Sequence, residues 1–342
     1  MQAHPTPLIN QLTAAPLKAA FRGVRHAVVA LALLLASAGI SSAQVVVSST
    51  KDDGIPAATK KNPGDNVTYT IQINSTGASA ATGVTLTDPT AANTSEVAGS
   101  LNATPVALDD TYPQTVQANQ TVNTATSGFT VVTNDYPGIL AGNPVALSAL
   151  TITQSGTSTN GGIVSMTTSG ANVGRFVYSA PPGFTGTDTF TYTISNGVAG
   201  TPAGSATGTC SITVAGPVIW FVDDSAPAGG NGTWTGTNSK AFQTVAQAAA
   251  VDAANHRIYL ASGTYTSGIA LLAGEWVVGE GAVGTTFDAL MGITPGTDTP
   301  ARPGINGTKP AWSAAGGSSV VTLADNNTIL GVAITGNTVT AM

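Results

Sequence analysis

The chain has 342 residues, of which only 8% are charged while 42% are hydrophobic and 40 are glycine. Seventeen acidic residues outweigh eleven basic ones, and phosphate recognition needs clustered Lys and Arg, so nucleic acid is excluded as an expected partner. The hydrophobic share is too high for a disordered chain, and Gly, Ala, Ser and Thr crowded around short β-branched runs favour strands over helices.

Lys18, Arg22 and Arg25 precede the apolar run Ala27–Ile40, and the small residues Ser41 and Ala43 follow it. This order of charged, apolar and small residues predicts a secretory signal over residues 1–43, cleaved before Gln44. The run is shorter than the roughly 20 residues of a membrane span. Its removal takes away three of the eleven basic residues and none of the seventeen acidic ones, leaving eight against seventeen. The expected location is extracellular or the bacterial cell surface, associated with the outer membrane. Cys210 is the only cysteine, so no intrachain disulfide can form despite export. In GTCSITV it alternates with Ile212 and Val214, which predicts a buried strand position. His256 is the one histidine beyond the signal. That excludes a Cys/His zinc cluster and leaves one imidazole for any Ser–His–Asp triad, without a G-x-S-x-G motif to accompany it.

Residues 44–103 contain VTYTIQI, where Val67, Tyr69, Ile71 and Ile73 alternate with Thr and Gln. The pattern predicts a strand with one apolar face, bounded by the turn clusters NPGD and NSTGAS, and GVTLTDP predicts a second strand ended by Pro89. Through Pro63, Gly64, Asp65, Tyr69, Asn74, Gly77, Gly83 and Asp88 the stretch resembles a conserved repeat domain of unknown function from bacterial cell-wall and surface proteins. The resemblance implies an Ig-like sandwich, here short of that domain's later strands.

Residues 104–216 open on TPVALDDTY and close on FTGTDTFTYTISNG and GTCSITV, with Phe190, Tyr192 and Ile194 predicted to point inward. Pro105, Asp109, Asp110, Asn134, Asp135, Phe176, Tyr178, Gly186, Asp188, Phe190, Tyr192 and Gly197 make this unit resemble the immunoglobulin- and cadherin-like repeats of large bacterial adhesins. Such modules are two-sheet sandwiches of about 100 residues. Cadherin-like relatives hold calcium, which takes six to eight oxygen ligands, and this makes Asp109, Asp110, Asp135 and Asp188 candidate ligands for Ca²⁺. Tyr136 and Pro137 stand where calcium-binding relatives carry further acids, which favours turn capping as the use of these carboxylates.

From Pro217 to residue 342 the character changes. Phe242, Val245, Ala246, Ala249 and Ala250 recur at helical spacing, between predicted strands IWFV and RIYLA. Short strand–turn units follow in GIALLAG, EWVVGEGA, SSVVTLADN and TILGVAIT, with Gly and Asn at the corners, and describe a parallel β-helix. Asp223, Gly230, Gly232, Thr233, Phe242, Ala248, Ile258, Gly263 and Tyr265 make this region resemble the start of the pectin-lyase-like right-handed β-helices. In those families the catalytic carboxylates lie on later coils, so Asp223 and Asp224 are read as structural. Trp220, Trp234, Trp276 and Trp312 all fall here, and cap or core packing is their expected use. GEGAVG, Gly279–Gly284, matches G-x-G-x-x-G after a strand, but Gly292, Pro295 and Gly296 argue against the helix a dinucleotide site requires. A coil corner is expected instead.

The fold class expected is therefore mainly β: a signal peptide, two sandwich modules, then the N-terminal coils of a β-helix with one capping helix. No polar cap follows TLADNNTILGVAITGNTVTAM, so the chain is expected to be the front of a longer surface protein, with an open coil end that invites association. The expected function is non-catalytic, structural or adhesive, with surface polysaccharide or other cell-surface proteins as partners. The alternatives are a polysaccharide lyase or glycoside hydrolase with its catalytic coils beyond residue 342, and a self-associating secreted matrix protein.

Overall fold

The computed structural model describes residues 46–56, 59, 61–76, 87–90, 92–198, 204–314, 316, 318–335 and 339–341. The predicted signal segment and most of the GVTLTDP strand lie outside them. The chain divides between Thr94 and Ser95 into two compact units. Among the described residues no helix is long and apolar enough to cross a membrane.

In the first unit, strand Val46–Asp52 pairs antiparallel with Thr70–Thr76, Asp52 opposite Thr70. The expected buried face is corrected here. Tyr69 is 46% and Ile73 44% exposed, and none of this unit's described residues is buried. The two strands have no second layer among the described residues, and such a pair is marginal on its own. Lys51 supplies local cover: its ammonium lies 4.1 Å from the Tyr69 ring centroid and 2.6 Å from an Asp88 carboxylate oxygen.

The second unit begins as an antiparallel sandwich. One sheet is built on the long strands Gly186–Ser195 and Ser205–Ala215, with Thr151–Gln154 beside the former and Asp110–Thr111 and Val116–Gln117 parallel to the latter. The facing sheet runs Thr121–Asn123, Phe176–Ser179, Ile163–Met166. Period-two alternation sets the core: Asp188, Phe190, Tyr192 and Ile194 point inward while their neighbours do not. Phe190, Phe176, Phe129 and Tyr112 make a chain of edge-to-face contacts, the arrangement the ring quadrupole prefers. Cys210 is fully buried, as its alternation predicts, and burial pushes its thiol up to about 12, far from a reactive thiolate.

Beyond Gly216 every sheet is parallel. Ile219–Val222, Arg257–Leu260, Trp276–Gly279 and Thr328–Leu330 stack in one sheet with Ile219, Arg257, Trp276 and Thr328 in register. Thr264–Tyr265, Ala311–Trp312 and Ala333–Ile334 form a second sheet, and Ile269–Ala270, Val321–Leu323 and Val339–Ala341 a third. Successive coils thus give one strand to each of three sheets. Trp220, Val222, Ile258, Leu260, Val277, Tyr265, Ile269 and Trp312 fill the coil interior, and that core continues into the sandwich core. On the other face of the first sheet, Ile219, Phe221, Tyr259 and Val278 are covered by Trp234, Ala241, Phe287 and Met291. Both faces are therefore apolar, which is why IWFV does not alternate.

Two helix readings change. The alanine-rich helix is only Val245–Ala249, closed by a Thr244–Gln247 capping box, and it turns Val245 and Ala248 inward rather than Ala246 and Ala250. Phe242 precedes it as a bridge partner of Val222. A second helix, Phe287–Met291, follows the G-x-G-x-x-G stretch, where none was expected. Thr286 caps its start and Gly292, in the left-handed region at φ 58°, ends it after five residues. The glycines serve coil packing: a Cβ on Gly279 would meet the Gly331 carbonyl oxygen at 2.4 Å, and one on Gly281 would meet it at 2.5 Å.

Sandwich and coils are stitched together by buried polar contacts. Trp234 N donates to Asn119 O at 2.8 Å and Thr121 N to Trp234 O at 3.1 Å. The coil excursion that carries helix Phe287–Met291 brings Asp298 to the sandwich. Its carboxylate, 2% exposed, accepts from Tyr112 Oη, Ser127 N and Ser127 Oγ at 2.7 Å each and from Gln114 Nε2 at 3.1 Å.

Candidate functional site

The four carboxylates singled out for calcium do not converge. Asp110 Oδ2 lies 2.8 Å from the Tyr192 hydroxyl, which is also 2.8 Å from Leu108 O and 3.0 Å from Val131 O. Asp135 Oδ1 accepts Leu108 N at 2.8 Å and stands 3.4 Å from the same hydroxyl. Asp109 instead caps Thr209 N at 2.8 Å. Burial, with Asp135 and Asp109 adding negative charge nearby, pushes Asp110 up to about 7. Burial raises Asp135 as well. Asp188 belongs to a separate knot, accepting from Ser158 Oγ, Tyr178 Oη, Asn160 N and Thr189 N. Burial opposes its charge, but those donors outweigh it and hold the carboxyl below its ordinary range. Among the described residues no three His, Cys, Asp or Glu side chains form a group able to hold a metal ion. The calcium set read from the sequence is thus split in two, and its carboxylates tie turns to strands.

The coils repeat one corner that the sequence displayed only as Gly and Asn. Asn255, Gly274 and Asn326 stand at equivalent positions before the first-sheet strands and share left-handed backbone, φ 67°, 73° and 57°. Each is followed by a side chain that accepts the backbone N–H three residues earlier. His256 Nδ1 takes Ala253 N at 2.9 Å, Glu275 Oε2 takes Leu272 N at 2.6 Å, and Asn327 Oδ1 takes Ala324 N at 2.6 Å. Three unlike residues do one job, so no motif search by residue identity finds it.

A groove of about 320 Å³ opens over the covered face of the first sheet, lined by Asp223, Trp234, Asn238, Tyr259, Glu280 and Gly304 among others. Its polar groups are already engaged. Asp223 accepts from Ser225 N at 2.9 Å and Asn238 Nδ2 at 3.0 Å. Glu280 accepts from Ser262 N at 2.7 Å and Asn306 Nδ2 at 2.6 Å. Tyr259 donates to Gly304 O at 2.6 Å and Trp234 Nε1 to Ala301 O at 2.6 Å. Asp224 caps Thr264 N at 2.7 Å. A second cleft, about 480 Å³, lies between sandwich and coils and is lined by Pro182, Gly183, Trp220, Asn231, Phe242 and His256. There His256 Nδ1 also accepts Trp220 Nε1 at 3.1 Å, and burial lowers the imidazole's affinity for a second proton.

An antiparallel two-sheet sandwich joined to stacked parallel coils defines a mainly-β chain of several modules. Residues 102–213 match the family described as bacterial Ig domain, and residues 228–341 match a protein family of unknown function, DUF1565. No curated protein and no solved structure matches the chain. The two family matches fit a bacterial surface-type protein, and bacterial Ig domains are common in extracellular and surface proteins.

Proposed function

We propose that the chain is a non-catalytic, exported structural or adhesive protein of the bacterial cell surface, in which the sandwich presents a right-handed β-helix. The supporting observation is how the acidic side chains are used. Asp109, Asp135, Asp188, Asp223, Asp224, Glu280 and Asp298 each accept a backbone N–H that closes a turn or joins two segments. General acid–base chemistry needs a carboxyl group free to reach substrate, whereas a presenting scaffold needs this kind of internal bracing. Surface polysaccharide and other surface proteins are the partners proposed, met along the long face of the coils.

Two measurements test the reading. N-terminal analysis of the exported protein is expected to begin at Gln44. The purified chain is expected to be retained on intact cells while releasing neither reducing ends nor unsaturated uronate from acidic polysaccharides. Release of either product would replace the scaffold reading with an enzyme.

A further inference from the structure

Glu275 is the fully buried rung of the corner ladder, at 0% exposure. Its Oε2 caps Leu272 N, while Oε1 is buried with no protein donor. Asp252 follows the helix Val245–Ala249, its N–H still bonded to Ala248 O at 2.9 Å, and its Oδ2 is likewise buried without a donor. The segments that carry the two carboxyl groups run side by side, Asn255 N donating to Ala273 O at 2.9 Å, and each carboxyl group bears on the other's titration. Ionised carboxylates only accept, so two neighbouring buried oxygens without donors call for a hydrogen that no other protein group supplies.

A cation would be the other way to reconcile the pair. Neither residue lines the two cavities described above, and no third ligating side chain of the described residues stands with them. We propose that Asp252 and Glu275 share one proton, and that this proton locks the segment after the helix to the second coil corner and is released as the surroundings turn alkaline.

The setting favours retention. Burial raises both groups above ordinary carboxyl values, and the proximity of Asp252 adds to the shift of Glu275. The adjoining rungs bring no compensating charge. His256 is held neutral by two donors on Nδ1, Asn327 is uncharged, and Asp325 contributes its carbonyl oxygen to Gly274 N at 2.8 Å. The Arg257 guanidinium lies over the Trp276 ring, 4.3 Å from its centroid.

The sign follows from proton counts. Between the ordinary carboxyl range and the raised value the folded chain binds a proton that the unfolded chain has lost, so stability falls as pH rises through that window. Thermal midpoints of the full chain, of Glu275→Gln and of Asp252→Asn, taken from about pH 5 to about pH 9 with and without EDTA, test the lock. The amide introduced by Glu275→Gln keeps an acceptor for Leu272 N and gives Asp252 a permanent donor. Glu275→Gln is expected to match the parent near the acid end and to exceed it by roughly 3–6 °C at the alkaline end. Asp252→Asn is expected to behave the same way from the other side, and it decides the matter if the first variant does not fold. Variants that track the parent in parallel at every pH would overturn the shared proton. A parent midpoint lowered by EDTA would overturn it too, in favour of a bound cation.

Discussion

Asp298→Ala is expected to remove about 2–4 kcal/mol of stability, a large loss for a single carboxylate. Asp298 is 2% exposed and accepts from Tyr112, Gln114 and both donors of Ser127. Alanine would leave the buried Tyr112 hydroxyl without its acceptor, and an orphaned buried donor costs about 1–3 kcal/mol, to which the lost bonds from Ser127 and Gln114 add. The affected contacts join two modules, so the effect should also be one of cooperativity. The parent, with one core running from sandwich to coils, is expected to unfold in a single denaturant transition beyond Ser95. The variant is expected to split it, with the sandwich and the coils melting apart. Asp298→Asn keeps one acceptor and should fall between the two. A loss below about 1 kcal/mol for alanine, with the single transition intact, would show that apolar contact alone holds the modules together.

That junction was not legible in the sequence, and the reason is physical. Alternation along one strand reports which face is buried, and so Phe190, Tyr192, Ile194 and Cys210 are placed correctly from residues alone. It reports nothing about partners far along the chain, such as Asp298 for Tyr112. The same limit applies to Tyr69 and Ile73, whose pattern is that of a covered face although they are exposed. Strands IWFV, RIYL and WVVG were readable because β-branched and aromatic runs between Gly and Asn corners have few other uses. The helix Phe287–Met291 escapes a sequence reading because Gly292 looks like a breaker, when it is the left-handed C-cap of a one-turn helix. For the carboxylates, the resemblance to cadherin-like repeats singled out Asp109, Asp110, Asp135 and Asp188 but could not say that Asp188 serves Ser158 and Tyr178 instead of joining the others.

A second large effect is expected at Asp110, and it runs with pH. The Tyr192 hydroxyl carries one hydrogen but has three oxygen atoms within 3.0 Å, from Asp110, Leu108 and Val131. It can donate once, so a protonated Asp110 completes the knot by donating to the tyrosine oxygen. This agrees with a carboxyl pushed up to about 7 by burial and by its acidic neighbours. In the unfolded chain the same group titrates near its ordinary value of about 3.9. Its contribution to stability is therefore complete in acid, declines as pH climbs from about 4 to about 7, and is flat above that. The group is only partly buried, so solvent screening leaves about 1–2 kcal/mol of dependence across the window. Asp110→Asn supplies a hydrogen-bond donor that does not titrate. Its denaturation midpoint is expected to stay level where the parent's falls, and to overtake the parent near neutral pH. Asp110 and Glu275 have no partner in common, so the Asp110→Asn and Glu275→Gln effects should add, and the double variant should show the flattest profile. If Asp110→Asn kept the parent's slope, the proton of the knot would belong to Asp135. The Asp135→Asn variant would then be the one to flatten, at the added cost of weakening the cap on Leu108 N.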